Sequence, residues 1–310
     1  MLKEKFNDLG FGSKTGTQKT RLMNQDGSFT VERRGLNRFD SFSMYHFLIE
    51  VNLWKFLLVM LLGYFLMNLA FALGYVCIGV EHLAGACHKT FVEDFIEAFF
   101  FSTQTFTTVG YGRISPQGFG VNVLASFESF IGLLAFAVAT GLLYGRFAKP
   151  KSNIIYSKNA LIAPYAPTGK AFMFRMANRL KHTLIDTEAQ INLAYLDKEN
   201  PQVRKFATLN LERTKITMLP SLWTIVHPID AESPLYGLTE DDFEKLDMEF
   251  LVMLRAYDEI FSQTVHSRFS FKYYEVVWNA KFVQALNYSD AEKPFMELDK
   301  LSEYELLPLI

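Results

Sequence analysis

Residues 56–80 read FLLVMLLGYFLMNLAFALGYVCIGV, 25 residues without a charge. About 20 apolar residues cross the hydrocarbon core of a bilayer as a helix. A buried helix of a soluble protein rarely stays apolar on every face for that long. A second run, 118–145, has 28 residues and one charge, Glu128. Two membrane spans follow, and they account for a chain of 310 residues that is 50% hydrophobic and only 21% charged. A net charge of -2 excludes a nucleic-acid partner held by counter-charge. Two cysteines make neither a disulfide framework nor, alone, a four-ligand zinc site.

Arg33, Arg34, Arg38 and Lys55 precede the first span, and Arg146, Lys149 and Lys151 follow the second. The intervening segment has mixed charge (Glu81, Lys89, Glu93, Asp94, Arg113). The positive-inside rule then places both termini in the cytoplasm and the segment outside, in a plasma (inner) membrane. Residues 1–39 read as a polar, flexible cytoplasmic tail. Its run Gly10-Phe11-Gly12-Ser13-Lys14-Thr15-Gly16 lacks the adjacent Gly-Lys-Ser/Thr of a phosphate loop. Residues 40–52 mix Phe42, Tyr45, Phe47, Leu48 and Ile49 with Ser41, Ser43, His46 and Glu50, a pattern for an interfacial helix.

After Pro150 the period becomes two. Phe172, Phe174 and Met176 share one face; Ile185, Ala189, Ile191 and Leu193 interleave with Asp186, Glu188, Gln190 and Asn192. Segments 220–230, 247–260 and 273–286 continue the pattern, with turn signals at Ser233-Pro234 and Tyr236-Gly237. A β-sandwich over 149–310 is expected. Its histidines His182, His227 and His266 lack metal spacing, and no catalytic cluster accompanies them. The chain is not read as an enzyme and needs no organic cofactor.

Between the spans lies 95-FIEAFFFSTQTFTTVGYGR, an apolar helical stretch ending in Thr108-Val109-Gly110-Tyr111-Gly112. Glycines at 110 and 112 take backbone angles closed to other residues, which lets successive carbonyls face one axis. Four such loops make rings of oxygen that replace the hydration shell of K+, at Thr108, Val109, Gly110 and Tyr111. Val109 and Tyr111 are expected to pack outward against the pore helix. Non-helical backbone at membrane depth is tolerated only where protein buries it or water lines it.

The TVGYG sequence between two spans, with 139-ATGLLYGRFAKPK, 222-LWTIVHPIDAESPLYG and 257-YDEIFSQTVHSRFSF, resembles the inward-rectifier potassium channel family, prokaryotic type. The resemblance implies a homotetrameric, potassium-selective channel, of the inward-rectifier and voltage-gated classes, conducting K+ passively. It implies a pore domain over 53–148, with outer helix 53–80, pore helix and filter 94–113 and inner helix 118–147. An immunoglobulin-like cytoplasmic sandwich follows at 149–310. It further implies filter support from Gln104, Thr107 and Glu128, and a cavity and gate along Phe136, Thr140 and Tyr144 with bending points at Gly132 and Gly141. A cytoplasmic pore mouth is implied at Ser262, Gln263, Thr264 and Val265, and an anionic-lipid site at Trp54, Lys55, Arg146, Lys149 and Lys151. Intracellular cation blockers are implied partners.

Glu128 lies about 80° around the helix from Phe136 at 100° per residue, so it is expected to face the pore helix. The family pattern has Glu where this chain has Gln104, and animal members pair it with Arg where this chain has Ile114. The ion-pair brace behind the filter is therefore expected to be missing, which keeps a weakly selective cation channel as an alternative. A lipid- or ligand-sensing protein with a mostly closed pore is the other. Cys77 and Cys87 are ten positions apart, which leaves a local bridge open beside the favoured reading of two free thiols.

Overall fold

The computed structural model describes residues 21–30, 35, 43–86, 90–149, 152–219, 222–287 and 295–307. The chain divides into two units: Arg34–Lys149, and a second that joins the residues before 34 to those after 149.

The first unit is helical. Helix α1 (Met44–Glu50) is short and capped by the Ser43 hydroxyl, which accepts the His46 N–H. Helix α2 (Leu53–Ile78) is apolar on all sides, as its composition requires. After the short strand β1 (Leu83–Ala84), helix α3 (Phe91–Phe106) starts on Thr90, whose hydroxyl accepts the Glu93 N–H, with Glu93 and Asp94 in the first turn against the helix dipole. Strand β2 (Ser115–Pro116) returns antiparallel to β1 and closes the base of the loop that holds α3 and the residues after it. Helix α4 (Phe119–Ala148) runs without a break through Gly132 and Gly141. The core of this unit is where the three long helices meet, around Phe71, Tyr75, Phe101, Phe106, Val121 and Ala125. Both α2 and α4 are long and apolar enough to cross a membrane.

The second unit is a sandwich. Its strands are β3 (Ile154–Tyr156), β4 (Ala160–Tyr165), β5 (Gly169–Asn178), β6 (Leu184–Leu196), β7 (Arg204–Leu209), β8 (Lys215–Leu219), β9 (Leu222–Pro228), β10 (Glu249–Asp258), β11 (Gln263–Lys272) and β12 (Val276–Trp278), with helix α5 (Glu240–Lys245) before β10. One sheet has the order β12-β4-β5-β3 with β9 also on β5; the other is β11-β10-β6-β7 with β8 on β6. All pairings are antiparallel except β12 with β4. Phe172 of β5 stacks on Phe250 of β10 at 4.1 Å, and Phe174, Met176, Ile191, Leu193 and Val252 fill the space between the sheets.

The alternation expected through β6 fails at one point. Two residues of β6, Asp186 and Thr187, stand against the single Ala256 of β10, and Asp186 has φ +47°. This bulge reverses the phase, so Leu184 and Thr187 are buried while Ile185 is only half-buried. Nor is 273–286 one strand: it divides into a 3-10 turn (Tyr273–Glu275), β12 and a short pair of Ala280–Phe282 with Tyr304–Leu306.

The tail expectation is corrected over 21–30; the motif at 10–16 lies outside the described residues. Met23 and Phe29 bridge around a turn at Asn24–Ser28, and Met23 is buried. The backbone N–H groups of Leu22 and Met23 donate to the Glu249 carboxylate at 2.8 and 3.0 Å. The Arg21 guanidinium donates to Ser270 and to both carboxylate oxygens of Glu275. Glu249 belongs to a buried quartet. Asp247 holds Arg204 at 2.6 Å and Lys272 at 2.7 Å, and both cations lie within 3.9 Å of Glu249. Two cations and two anions balance, and the tail's N–H groups complete the second carboxylate.

Removing one member of such a set leaves an uncompensated buried charge, at about 3–5 kcal/mol. We predict that Glu249→Ala lowers the stability of the sandwich by that order and exposes 21–30 to protease. Thermal unfolding with limited proteolysis checks this; an unchanged cleavage pattern at 21–30 would contradict it.

Candidate functional site

The α3 helix ends where its own carbonyls are claimed by the loop that follows. The Thr107 hydroxyl donates to the Thr103 carbonyl at 2.6 Å, and the Thr108 N–H to Thr105 at 3.0 Å. The Gln104 carbonyl accepts the N–H of Val109 at 2.9 Å and of Gly110 at 3.4 Å. In this structure Gln104 thus meets the loop through its main chain. Thr108, Gly110 and Gly112 have φ of +57°, +54° and +80°, while Val109 and Tyr111 keep negative φ. Handedness alternates residue by residue. For glycine the positive values are free, but for a β-branched threonine they are strained by about 1–3 kcal/mol. The glycines were legible in the sequence. Thr108 was not, because nothing in a threonine announces left-handed backbone.

Val109 and Tyr111 are 52% and 79% exposed in the single chain, and nothing lies within 4 Å of where a Cβ would stand on Gly110 or Gly112. The loop is supported from one side only.

An ion pair does join the segment after the filter to α3, at other positions than the missing brace. Arg113 pairs with Glu97, while Ile114 is buried in the helical core. Glu97 lies seven residues before Gln104, two turns along the same face of α3. That spacing was the available signal.

Glu128 faces inward among the helices and is fully buried. The hydroxyls of Ser102 of α3 and Tyr75 of α2 are hydrogen-bonded to its two side-chain oxygens. One turn further, Gly132 is the contact point of α4 with the end of α3. A Cβ there would stand 2.0 Å from the Phe106 carbonyl oxygen. Its role is close approach, which corrects its reading as a bend. Gly141 has no neighbour within 4 Å. Phe136 and Tyr144 are 73% and 74% exposed, and the Thr140 hydroxyl donates to the Phe136 carbonyl of its own helix. A groove of about 910 Å³ between α2 and α4, lined by Val59, Met60, Tyr64, Thr108 and Phe136, begins at the base of the filter loop.

The basic residues after the second span are already engaged. The Arg146 guanidinium donates to the carbonyls of Leu48, Ile49 and Val51 and lies over the Phe56 ring, so it caps the C-terminus of α1. Lys149 pairs with Glu50 at 2.9 Å, which holds the Glu50 carboxyl below its ordinary range. Trp54 and Lys55 are exposed; Lys151 lies outside the described residues. The lipid-site expectation is corrected to that extent. In the sandwich, Ser262, Gln263 and Thr264 are exposed at the β10–β11 turn, but Val265 is buried in the core and lines nothing.

Of the three histidines, His182 meets Asp258 at 2.9 Å. His227 sits between the Asn210 carbonyl and the Ser233 hydroxyl, and burial pushes its pKa below the ordinary value. No group of metal-binding side chains occurs among the described residues. Cys77 is free and exposed, and Cys87 lies outside the described residues.

Residues 57–149 match the family described as "Ion channel", and 154–308 match "Inward rectifier potassium channel C-terminal domain". The chain is 32% identical over 299 residues to inward rectifier potassium channel Kirbac3.1 of Paramagnetospirillum magnetotacticum, covering 94% of this chain and 98% of that one. The chain belongs to the inward rectifier potassium channel family. It is also 29% identical over 206 residues to inward rectifier potassium channel 4 of Homo sapiens, covering 62% of this chain and 45% of that one. It is an integral membrane ion channel with two spanning helices, and not an enzyme. Channels of this family are tetramers. The voltage-gated class is corrected. The family is the inward rectifier, and among the described residues Arg146 is the one arginine in either span, with no row of them to sense voltage.

Placing a Cβ on Gly132 forces backbone of α3 or α4 to move, at about 1–3 kcal/mol. We predict that Gly132→Ala lowers the melting temperature of the purified channel. Gly141→Ala, with open space and better helix propensity, should leave it unchanged or raise it. Equal loss in both variants would contradict the contact.

Proposed function

We propose that Thr108, Val109, Gly110, Tyr111 and Gly112 form the selectivity filter of a potassium-selective homotetramer, with K+ held by the carbonyl oxygens of Thr108 to Tyr111. The alternation of φ through Thr108, Gly110 and Gly112 carries this reading. Alternating handedness brings successive carbonyls to one side of a chain, and four chains close the rings. The exposure of Val109 and Tyr111 supports it, since their partners are then supplied by neighbouring copies. Gln104 supports the loop through its carbonyl, Thr107 through its hydroxyl and Glu128 through α3. The inner helix gates and lines the cavity with Phe136, Thr140 and Tyr144, and four Tyr144 rings close a constriction that excludes water. Ser262, Gln263 and Thr264 surround the cytoplasmic mouth of the conduction path.

Gly110→Ala tests the filter, because alanine resists the +54° that position requires. We predict that rubidium uptake into liposomes by the purified channel falls to background in this variant while the tetramer persists. Uptake at the parent level would contradict the filter assignment.

Membrane lipid modulates the gate through Lys55, Lys149 and Trp54. An anionic headgroup competes with Glu50 for Lys149, and each basic residue near the leaflet contributes about 1 kcal/mol. Arg146 acts differently, because its donors hold α1 to α4. We predict that Lys55→Gln with Lys149→Gln flattens the dependence of flux on the fraction of anionic lipid, and that Arg146→Gln lowers stability in every lipid. A lipid dependence that survives the double variant intact would place the site elsewhere.

A further inference from the structure

Glu128, Ser102, Asn68 and Tyr75 are each fully buried where α2, α3 and α4 meet. The hydrogens of this cluster can be counted. The Tyr75 hydroxyl donates to Glu128 Oε2. The Asn68 side-chain N–H donates to the Tyr64 carbonyl at 2.7 Å. Around Ser102 Oγ stand three acceptor oxygens: Glu128 Oε1, Asn68 Oδ1 at 3.1 Å and the Asn68 carbonyl at 3.2 Å. A serine hydroxyl has one hydrogen. If Glu128 is a carboxylate, that hydrogen goes to Oε1 and Asn68 Oδ1 is left buried with no donor. The charge itself would also be fully buried, with two neutral hydroxyls as its donors among the described residues. The titratable and hydroxyl groups around Glu128 are Tyr75 and Tyr64 of α2 and Ser102 of α3, and among the described residues no cation pairs with it.

One added hydrogen gives each side-chain oxygen of the cluster a hydrogen bond, and the Asn68 carbonyl keeps its place in the backbone ladder of α2. We infer that Glu128 carries a proton on Oε1 and works as an uncharged positioning residue. Its O–H donates to Ser102 Oγ, and the Ser102 O–H donates on to Asn68 of α2. The chain ties the pore helix to both spans: Ser102 lies two residues before Gln104, whose carbonyl holds the filter N–H groups. The inference rests on the filter reading for its effect on selectivity, but not for the position of the proton. It makes glutamine the equivalent residue, since an amide donates and accepts at the same two places.

The test uses the full channel in lipid. Infrared difference spectra between parent and Glu128→Gln should show the carbonyl stretch of a protonated carboxylic acid in the parent, shifted in deuterium oxide and absent from the variant. In bilayers, Glu128→Gln should keep the potassium-over-sodium permeability ratio within about twofold. Ser102→Ala and Glu128→Ala should lower it by about tenfold, the weight of one buried hydrogen bond left unmade. A parent spectrum with only a carboxylate at this position overturns the inference. So does a Glu128→Gln channel that loses selectivity as Glu128→Ala does. If Glu128→Ala does not assemble, Ser102→Ala and the infrared band decide. A parent that fails to discriminate potassium from sodium contradicts the filter reading, and the band then decides the proton on its own.

Discussion

The constraint on which this channel depends is that a loop of non-helical backbone must be held at membrane depth, where water cannot satisfy its polar groups. The loop begins on the last turn of α3. The carbonyls of Thr103, Gln104 and Thr105, which a helix end leaves without intrahelical partners, accept from Thr107, Thr108, Val109 and Gly110 instead. The strained Thr108 persists because those bonds over-determine it. Every larger feature of the helical unit serves the placement of α3. The short β1–β2 pair closes its loop, Arg113 pairs with Glu97, and Gly132 lets α4 approach the Phe106 carbonyl without a side chain between them.

Both units gather buried polar and charged groups into clusters. In the sandwich, Arg204 and Lys272 face Asp247 and Glu249, and backbone from the N-terminal segment supplies the remaining donors. At the end of the second span, Arg146 spends its donors on the carbonyls that end α1. Arg146, a basic residue that reads as part of a lipid site in the sequence, is here a helix cap. The proposed potassium path differs, because the side chains of Val109 and Tyr111 stand exposed in the single chain and the space beside Gly110 and Gly112 is open.

How much of this was legible follows from what each signal depends on. The spans and the sandwich were, because a bilayer demands 20 apolar residues in a row and a half-buried sheet demands period two. The left-handed backbone at Gly110 and Gly112 was also legible, because it is a requirement written directly in residue type. What depended on pairing between distant positions was not. Glycine at 132 serves close packing, and glycine as a hinge has the same letter. The bulge at Asp186 shifts the phase of β6 with no glycine to mark it. The docked segment at 21–30 is polar in composition, and only the buried Glu249 explains why it is ordered. Arg113 was visible as a charge between the spans, but its partner lies 16 residues earlier on a helix face.

The account stands on the filter being selective despite glutamine at 104 and isoleucine at 114. The most direct measurement is the reversal potential of the purified channel in a planar bilayer, with potassium at unequal concentrations on the two sides and sodium making up an equal total of monovalent cation. A filter held by main-chain bonds to α3 predicts a reversal close to the potassium equilibrium potential at every potassium ratio tried. A reversal near zero under these conditions, with current flowing, would mean that the rings do not replace potassium's hydration shell and would contradict the account.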